Sequence, residues 1–589
     1  MRIKIFSLIF ILTLLFVDMP TTAHAAGGGS GKPLSCKSFN FTVSNNTYYP
    51  LNGTDLQTAL NCVRLGGTIV LQTATPYTGP FELPNKTTGR GWITLISASA
   101  AVLPAVQRVS PVDMPNLAQL QVPSGGTSPV VYTAAGAHHY SFVGIAFSTP
   151  QWVDTLLKIG TGDETSTSQL PHHFTFNRCI FAGSARTGTK HGLVANAGQG
   201  PTFPDDLITI ENSYFQDFKD PSNDAQAIAV WNGWGPFLIQ NNYLEASGEN
   251  VMFGGADPSI SKLVPSNIQI VQNHFYKPLS WLAQSWRIKN LFELKNAQNV
   301  TINGNVFQNN WIQADQLGWA IVLTPRNQDG RANWSTVQDV TFENNLVANS
   351  INGFDILGTD DTHPSGPLKN LTIQNNLLLN INPNWAQNIN SPYSLPVYSH
   401  SAYPEPGQIL YLINATSTSS NGPQNVTFTH NTSFQSGAEI FSNGPATSGL
   451  VFTENVLRHN VCVPGGDNNC GIAGGQLSPG QITNPTAPGL ATLGYYFTSP
   501  YNVSNNVLFD GGNPNPWTYP SPNETPSTVS FVDANVDPLT GLTTSATPEY
   551  DLSSTDPSYT ISTPDGAAPG VSWSLLNSYI QGVVQVYSK

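Results

Sequence analysis

Charge is scarce in this chain. Only 10% of its 589 residues are Asp, Glu, Lys or Arg, against roughly 25% in an average globular protein. Polarity has to come from Asn, Ser, Thr and Gln, which suits a β-rich extracellular protein better than a helical one. Positive charge is the scarcer sign: 23 Lys and Arg stand against 36 Asp and Glu, a net charge of −13. That balance argues against a nucleic-acid partner. It also means that the field of the whole molecule repels a polyanion unless basic groups or bound cations are placed locally.

Cysteine is nearly absent, and five in so long a chain make no disulfide framework. Cys462 and Cys470 flank a short Gly-rich loop that they could close. Cys36 and Cys62 could staple the N-terminal region, and Cys179 reads as a buried, inert thiol. Long apolar runs are missing beyond the N-terminus, so no membrane span is expected. At the N-terminus, Arg2 and Lys4 precede an apolar run to about Val17, and Ala23-His24-Ala25 forms a small-x-small site. Residues 1–25 therefore read as a signal peptide, residues 26–50 as a flexible mature N-terminus, and the protein as secreted, either extracellular or periplasmic. A monomer is expected.

What is abundant is a repeat. The remaining ~560 residues exceed one ordinary compact core by a factor of two or more, so an open-ended architecture is favoured. An apolar-x-apolar segment, two polar residues often carrying Asn, and a second apolar segment recur along the chain. Copies start at Tyr140, Phe174, Ile208, Phe237, Ile268 and Val300, at intervals of 34, 34, 29, 31 and 32 residues. They continue from Val340, Leu371, Val426, Leu450 and Tyr501, and the last-named intervals of 55 and 51 residues imply a weak coil or a large insertion. Period-two alternation makes each segment a half-buried strand. The Asn pair marks a corner, because Asn tolerates the left-handed backbone that a sharp corner needs. Stacked coils bring those amides to ~4.8 Å, close enough for a ladder.

A second strand set lies between the motifs, at residues 191–197, 227–233, 249–255, 290–296, 320–327 and 353–359. The pattern predicts an all-β fold, a right-handed single-stranded parallel β-helix over residues 51–510. Its caps are expected to be a short helix at 55–64 and, within the Pro/Ser/Thr-rich segment 511–589, a capping segment at 572–584. Paired His138-His139 and His172-His173 precede equivalent strands and read as a structural imidazole stack.

The N-terminal stretch DLQTALN, GGTIVLQ and TGPFELPNK, followed by the Asn-bearing coils, resembles the pectate-lyase-like (pectin-lyase fold) superfamily. The resemblance spans roughly residues 50–510. That fold hosts lyases, hydrolases, esterases and non-catalytic adhesins, so it implies a long surface suited to polysaccharides without choosing a reaction.

The densest chemistry lies between 277 and 331. Lys277, Arg287, Lys289, Lys295, Arg326 and Arg331 outnumber Glu293, Asp315 and Asp329, a basic island in an acidic chain. Trp231 and Trp319 are candidate sugar-stacking residues, and Arg287, Lys289 and Arg331 candidate substrate-binding cations. Within the island, FELKNAQNVTINGNVFQNN followed by AIVLTPRNQDG resembles chondroitinase B and related alginate lyases. The resemblance implies β-elimination from a uronic-acid polymer. Lys295 would be the base, and Arg326 the acid or charge neutraliser. Glu293 and Asp355 would be ligands for calcium, the one cofactor implied. The sequence departs from that family in a long loop between Lys295 and Arg326, and in lacking the carboxylates expected before the Lys. Two alternatives stay open: a non-catalytic glycan-binding or structural β-helix, and a glycoside hydrolase. For the latter, Asp224, Glu249, Asp257, Asp355 and Asp360 are available acids.

Overall fold

The computed structural model describes residues 36–583 apart from 37, 74–75, 106, 201–206, 283, 315, 387–406, 414–421, 444–445, 460–469, 475–489, 510–519 and 562. The expected signal peptide, Asp315 and Cys462 lie outside the described residues. Contacts divide the chain between Ser38 and Phe39, and the unit from Phe39 onward holds every element discussed here.

That unit is a right-handed parallel β-helix. Three parallel sheets of seventeen, thirteen and twelve described strands run along it, here sheets 1, 2 and 3. One antiparallel pair, Thr42–Ser44 with Thr47–Tyr49, starts sheet 1. Each coil contributes one strand to each sheet, for example Phe237–Gln240, Tyr243–Ala246 and Glu249–Phe253. The first residues of the sequence motif stack in a single inward column: Tyr140, Phe174, Ile208, Phe237, Ile268, Val300, Val340, Leu371 and Val426. All are buried, so the apolar periodicity read from the sequence is the core itself. Leu371 pairs directly with Val426, and Val451 with Asn502. The two long intervals are thus single coils with large insertions.

The Asn corner divides its work between two positions. The first residue takes the left-handed backbone, with φ of 53° at Asn241, 53° at Asn344 and 52° at Asn375. The second is the buried ladder. Asn242, Asn273, Asn305, Asn345, Asn376, Asn431, Asn455, Asn506 and Asn523 each donate Nδ2 to the Oδ1 of the next, at 2.8–3.2 Å. Ser213 and Cys179 occupy the same column in earlier coils. Burial pushes the Cys179 thiol up to about 12, which makes it the inert group expected. Cys36, Cys62 and Cys470 are disulfide-bonded.

Helix α1 (Gly53–Cys62) begins where the Asn52 side chain accepts from the Asp55 amide. Leu56, Ala59 and Leu60 join the main core. The expected C-terminal capping segment contains a helix, Trp573–Ile580, but its place differs from an end cap. Trp573, Leu576 and Ile580 pack on Val306, Leu346, Leu377 and Val456, outward residues of sheet 2 in several successive coils. Gln272 donates to the Tyr579 carbonyl at 3.2 Å, far back along the solenoid. The reason is that sheet 2 presents Val, Leu and Phe outward there, and only a covering segment removes that surface from water. No described helix is long and apolar enough to cross a membrane.

The ladder makes a prediction. Asn345 Oδ1 accepts from both the backbone N and Nδ2 of Asn305, while its own Nδ2 donates to Ile302 O and Asn376 Oδ1. Asn345→Ala strands buried donors and should cost about 2–3 kcal/mol in a urea melt. Asn344→Ala, at the corner position, should cost a comparable amount, about 1 kcal/mol through its positive φ and about 1 kcal/mol more through the bonds to Asn303 and Asn375 that it removes.

Candidate active site

In sheet 3 the inward column is Val251, Phe292, Ile321, Phe354 and Leu410. Strand alternation turns the next position outward. That outward column reads Met252, Glu293, Val322, Asp355 and Tyr411. Glu293 and Asp355 thus share a column two coils apart, with Val322 as the floor between them. Backbone pairing runs on past the strands: Lys295 N donates to Phe253 O at 2.7 Å, and Arg326 N to Lys295 O at 2.9 Å. Lys295 and Arg326, distant in sequence, are neighbours on adjacent coils. The four residues singled out for catalysis and metal binding are brought together on one surface.

Their partners change the electrostatic reading. Lys295 Nζ lies 3.3 Å from Glu293 Oε1, and Asn290 Nδ2 donates to Glu293 Oε2 at 3.2 Å. Arg326 is held by Asp360 at 3.3 Å and by Asp361. Arg287 Nε and Lys289 Nζ grip the two oxygens of Asp224 at 2.9 and 2.7 Å, and Lys289 also reaches Glu249 at 3.5 Å. Lys277 is wholly buried and donates to the Ala246, Ser247 and Gly248 carbonyls. Burial pushes its ammonium down to about 7.

The basic island is therefore a property of the linear sequence alone. Stacking brings Asp224, Glu249, Asp355, Asp360 and Asp361 onto it from other coils, and no surface of free positive charge results. Arg287 and Lys289 are ion-pair partners of Asp224 at one side of the site. Arg331 stands apart: its side chain is 73% exposed and pairs with Asp329 at 2.7 Å. Trp319 is only 3% exposed, stacked on Tyr411 at 5.4 Å, and offers no face to a sugar. Trp231 is half-buried at the end of strand Gln226–Val230. Val230, Phe253 and Leu294 are in register, so Trp231 and Lys295 flank Gly254. Gly254 has φ +95°, and a Cβ there would meet Lys295 Cβ at 2.8 Å. Only glycine leaves that floor clear.

Two acids of sheet 3 stand out by proton affinity. Burial pushes the Asp355 carboxyl up to about 7, with Arg326 opposing and Glu293 adding to the rise. Burial also pushes Glu249 up to about 7, with Lys289 opposing. Burial disfavours the Lys289 ammonium, yet Glu249 and Asp224 outweigh it and hold its pKa above the ordinary lysine value. Glu249 Oε1, Asp355 Oδ1, Gln226 Oε1 and Asn290 Oδ1 are buried without a hydrogen-bond partner. Gln226, Glu249 and Asn290 lie on successive coils, and Asp355 lies three strands on from Glu249, so the unsatisfied atoms fall in two separate places along sheet 3. Glu249 is one of the acids that the sequence offers, while Gln226 and Asn290 carry no role there. Their signal was available only as register, since Gln226 pairs with Glu249 across coils.

The calcium expected from the lyase resemblance does not fit these residues. Both Glu293 oxygens are engaged by Lys295 and Asn290, and Asp355 stands two strands away. A hard cation needs six or more converging oxygens. The expected His stack is present elsewhere: His138 on His172 at 4.8 Å and His139 on His173 at 4.1 Å.

No family model matches the sequence, and no curated protein matches it. Solved structures do. A Dettilon tailspike protein is similar at 11% identity and TM-score 0.38, over 73% of this chain and 68% of that one. An alginate lyase from Paenibacillus sp. str. FPU-7 is similar at 12% identity and TM-score 0.27, over 68% of this chain and 94% of that one. A family 28 exopolygalacturonase of Yersinia enterocolitica is similar at 11% identity and TM-score 0.29, over 77% and 75%. Likenesses this distant say nothing of what the chain acts on.

The raised carboxyls carry a pH signature. Folded Asp355 holds its proton to about pH 7, while unfolded Asp releases it near its ordinary 3.8. Stability from this group is therefore intact at low pH and lost as pH rises from about 4 to 7. Asp355→Asn should stabilise the protein by about 1–2 kcal/mol at pH 8 and by nothing near pH 4. Urea melts at the two pH values check this. A variant less stable than wild type at pH 8 would show that the folded site favours the carboxylate, and that burial does not raise this carboxyl.

Proposed function

We propose that the protein is a secreted glycan-active enzyme, and that its sheet 3 groove hydrolyses a glycosidic bond with inversion. One observation carries this reading. Glu293 and Asp355 stand in one outward column, two coils apart, one ion-paired and the other held protonated to about pH 7. Two inter-strand spacings put their Cα atoms about 9.6 Å apart. Inverting hydrolases place their carboxyls roughly 6.5–9.5 Å apart, leaving room for water, a spacing that side chains on Cα atoms so placed reach by leaning slightly together, whereas retaining ones need about 5–5.5 Å.

The roles follow from the environments. Asp355, protonated by burial, is the general acid that gives its proton to the leaving glycosidic oxygen. Glu293, ion-paired with Lys295, is the base that draws a proton from the attacking water. Arg326 lies beside Asp355 and is suited to hold a sugar hydroxyl or carboxylate. Trp231 offers a half-open indole face beyond the cleared floor at Gly254. Because acids surround every cation of the groove, a neutral or sparsely charged glycan fits better than a polyuronate.

The adjacency of Lys295 and Arg326 favours a second reading, β-elimination from a uronic-acid polymer with Lys295 as base. A panel of neutral and acidic polysaccharides separates the two. Hydrolysis releases reducing sugar without the ultraviolet absorbance of unsaturated uronates, and elimination produces that absorbance. Asp355→Asn and Glu293→Gln should each lower the rate by on the order of 10²–10⁴-fold, with thermal melts showing an intact fold. Activity should decline as pH rises through about 7, where Asp355 loses its proton. Full activity in both variants would overturn the assignment.

A further inference from the structure

The corner column that follows sheet 1 is built of neutral amides over most of its length. Asn344 bonds to Asn303 at 3.0 Å and Asn375 to Asn344 at 2.7 Å. Register carries that column on through His430, Glu454 and Asn505. At His430 and Glu454 the amides give way to an imidazole and a carboxyl, both on left-handed backbone with φ of 52° and 61°. The C-terminal segment crosses at this point and adds Asp565. His430 Nε2 lies 3.2 Å from Glu454 Oε2 and 3.0 Å from Asp565 Oδ2.

A single imidazole N–H cannot point at two carboxylates at once, so a proton satisfies only one of them well. Glu454 is 7% exposed, and its second oxygen, Oε1, is buried with no hydrogen-bond partner. The three donor atoms all lie within 4.8 Å of one another. Separations of 3.0 and 3.2 Å match the edges of a tetrahedral or octahedral shell, about 2.9–3.4 Å for bonds of about 2.0–2.1 Å. One imidazole with two carboxylates is a donor set for a borderline divalent cation, more than for the hard, oxygen-only calcium shell.

We propose that His430, Glu454 and Asp565 form a zinc-class cation site that clamps the C-terminal segment to the corner of the solenoid. The other contacts of that segment agree with a clamp at this place. Gly570 N donates to Glu454 O at 2.7 Å, Val571 N to Thr432 Oγ1 at 2.9 Å, and Ser572 N to Asn375 Oδ1 at 2.6 Å. His430 and Asp565 also line a cavity of about 770 Å³ between solenoid and segment, with Glu343, Asp551, Tyr559 and Tyr579. Three protein ligands leave at least one coordination position for water or a ligand from that cavity.

The test uses the full chain, made without a histidine tag and stripped with EDTA, then titrated with zinc chloride by calorimetry. His430→Asn and Asp565→Asn are the variants. Asn at position 430 continues the amide column and tolerates the positive φ, so the fold is kept. The imidazoles His139, His172 and His173 are a second potential zinc acceptor in the same chain. The reading is therefore the difference between wild type and variants. The site predicts micromolar or tighter zinc binding, with one ion lost or its affinity lowered at least ~10-fold in each variant. It also predicts that zinc slows hydrogen exchange over residues 563–572 in wild type and not in Asp565→Asn. Absent zinc binding, or identical titrations for all three proteins, overturns the site. Unchanged exchange on adding zinc overturns the clamp.

Discussion

A buried primary amide has two N–H donors and a carbonyl oxygen with two lone pairs to satisfy. In this solenoid Asn345 meets all of them by stacking, with backbone and side-chain groups of the coils on either side. The same arrangement repeats from Asn242 to Asn523. A slip of one residue in any coil would break that ladder and turn an apolar face outward. The ladder therefore sets the register of the coil it belongs to. Register in turn fixes which side chains of sheet 3 share a column, and so sets Glu293 and Asp355 one Val apart on the outer surface.

The buried carboxyls of sheet 3 work against the stability that the ladder supplies. Asp355 and Glu249 are buried carboxyls pushed up to about 7, and several of their neighbours' polar atoms lack partners. A chain selected only for stability would fill such a column with Val, as it does at Val322. Ion pairs around the site hold orientation more than they add free energy, because desolvation offsets much of their attraction. Lys289 between Asp224 and Glu249, and Lys295 on Glu293, are positioned charges of this kind.

The fold was legible in the sequence because a repeat reports itself many times over. The motif starts from Tyr140 to Val426 prove to be one inward column. The site was legible only in part. Lys295, Arg326, Glu293 and Asp355 do meet, since all four lie on the second strand set or just past its ends. Much of the charge environment was not legible, because apart from the local Lys295–Glu293 pair the partners come from other coils: Asp224 for Lys289, Asp360 and Asp361 for Arg326. Trp319 shows the same limit, for its stacking partner Tyr411 is two coils on. The C-terminal covering segment was legible as a cap but neither as a helix nor in its place, since nothing local says that sheet 2 has an apolar outer face to cover.

The central claim is that Asp355 and Glu293 act as acid and base across a gap wide enough for water. The stereochemistry of the first product tests it most directly. Proton NMR of a polysaccharide digest, read before mutarotation, should show the new reducing end with inverted anomeric configuration. A retained anomer, or an unsaturated uronate at the other end of the cut, would contradict it.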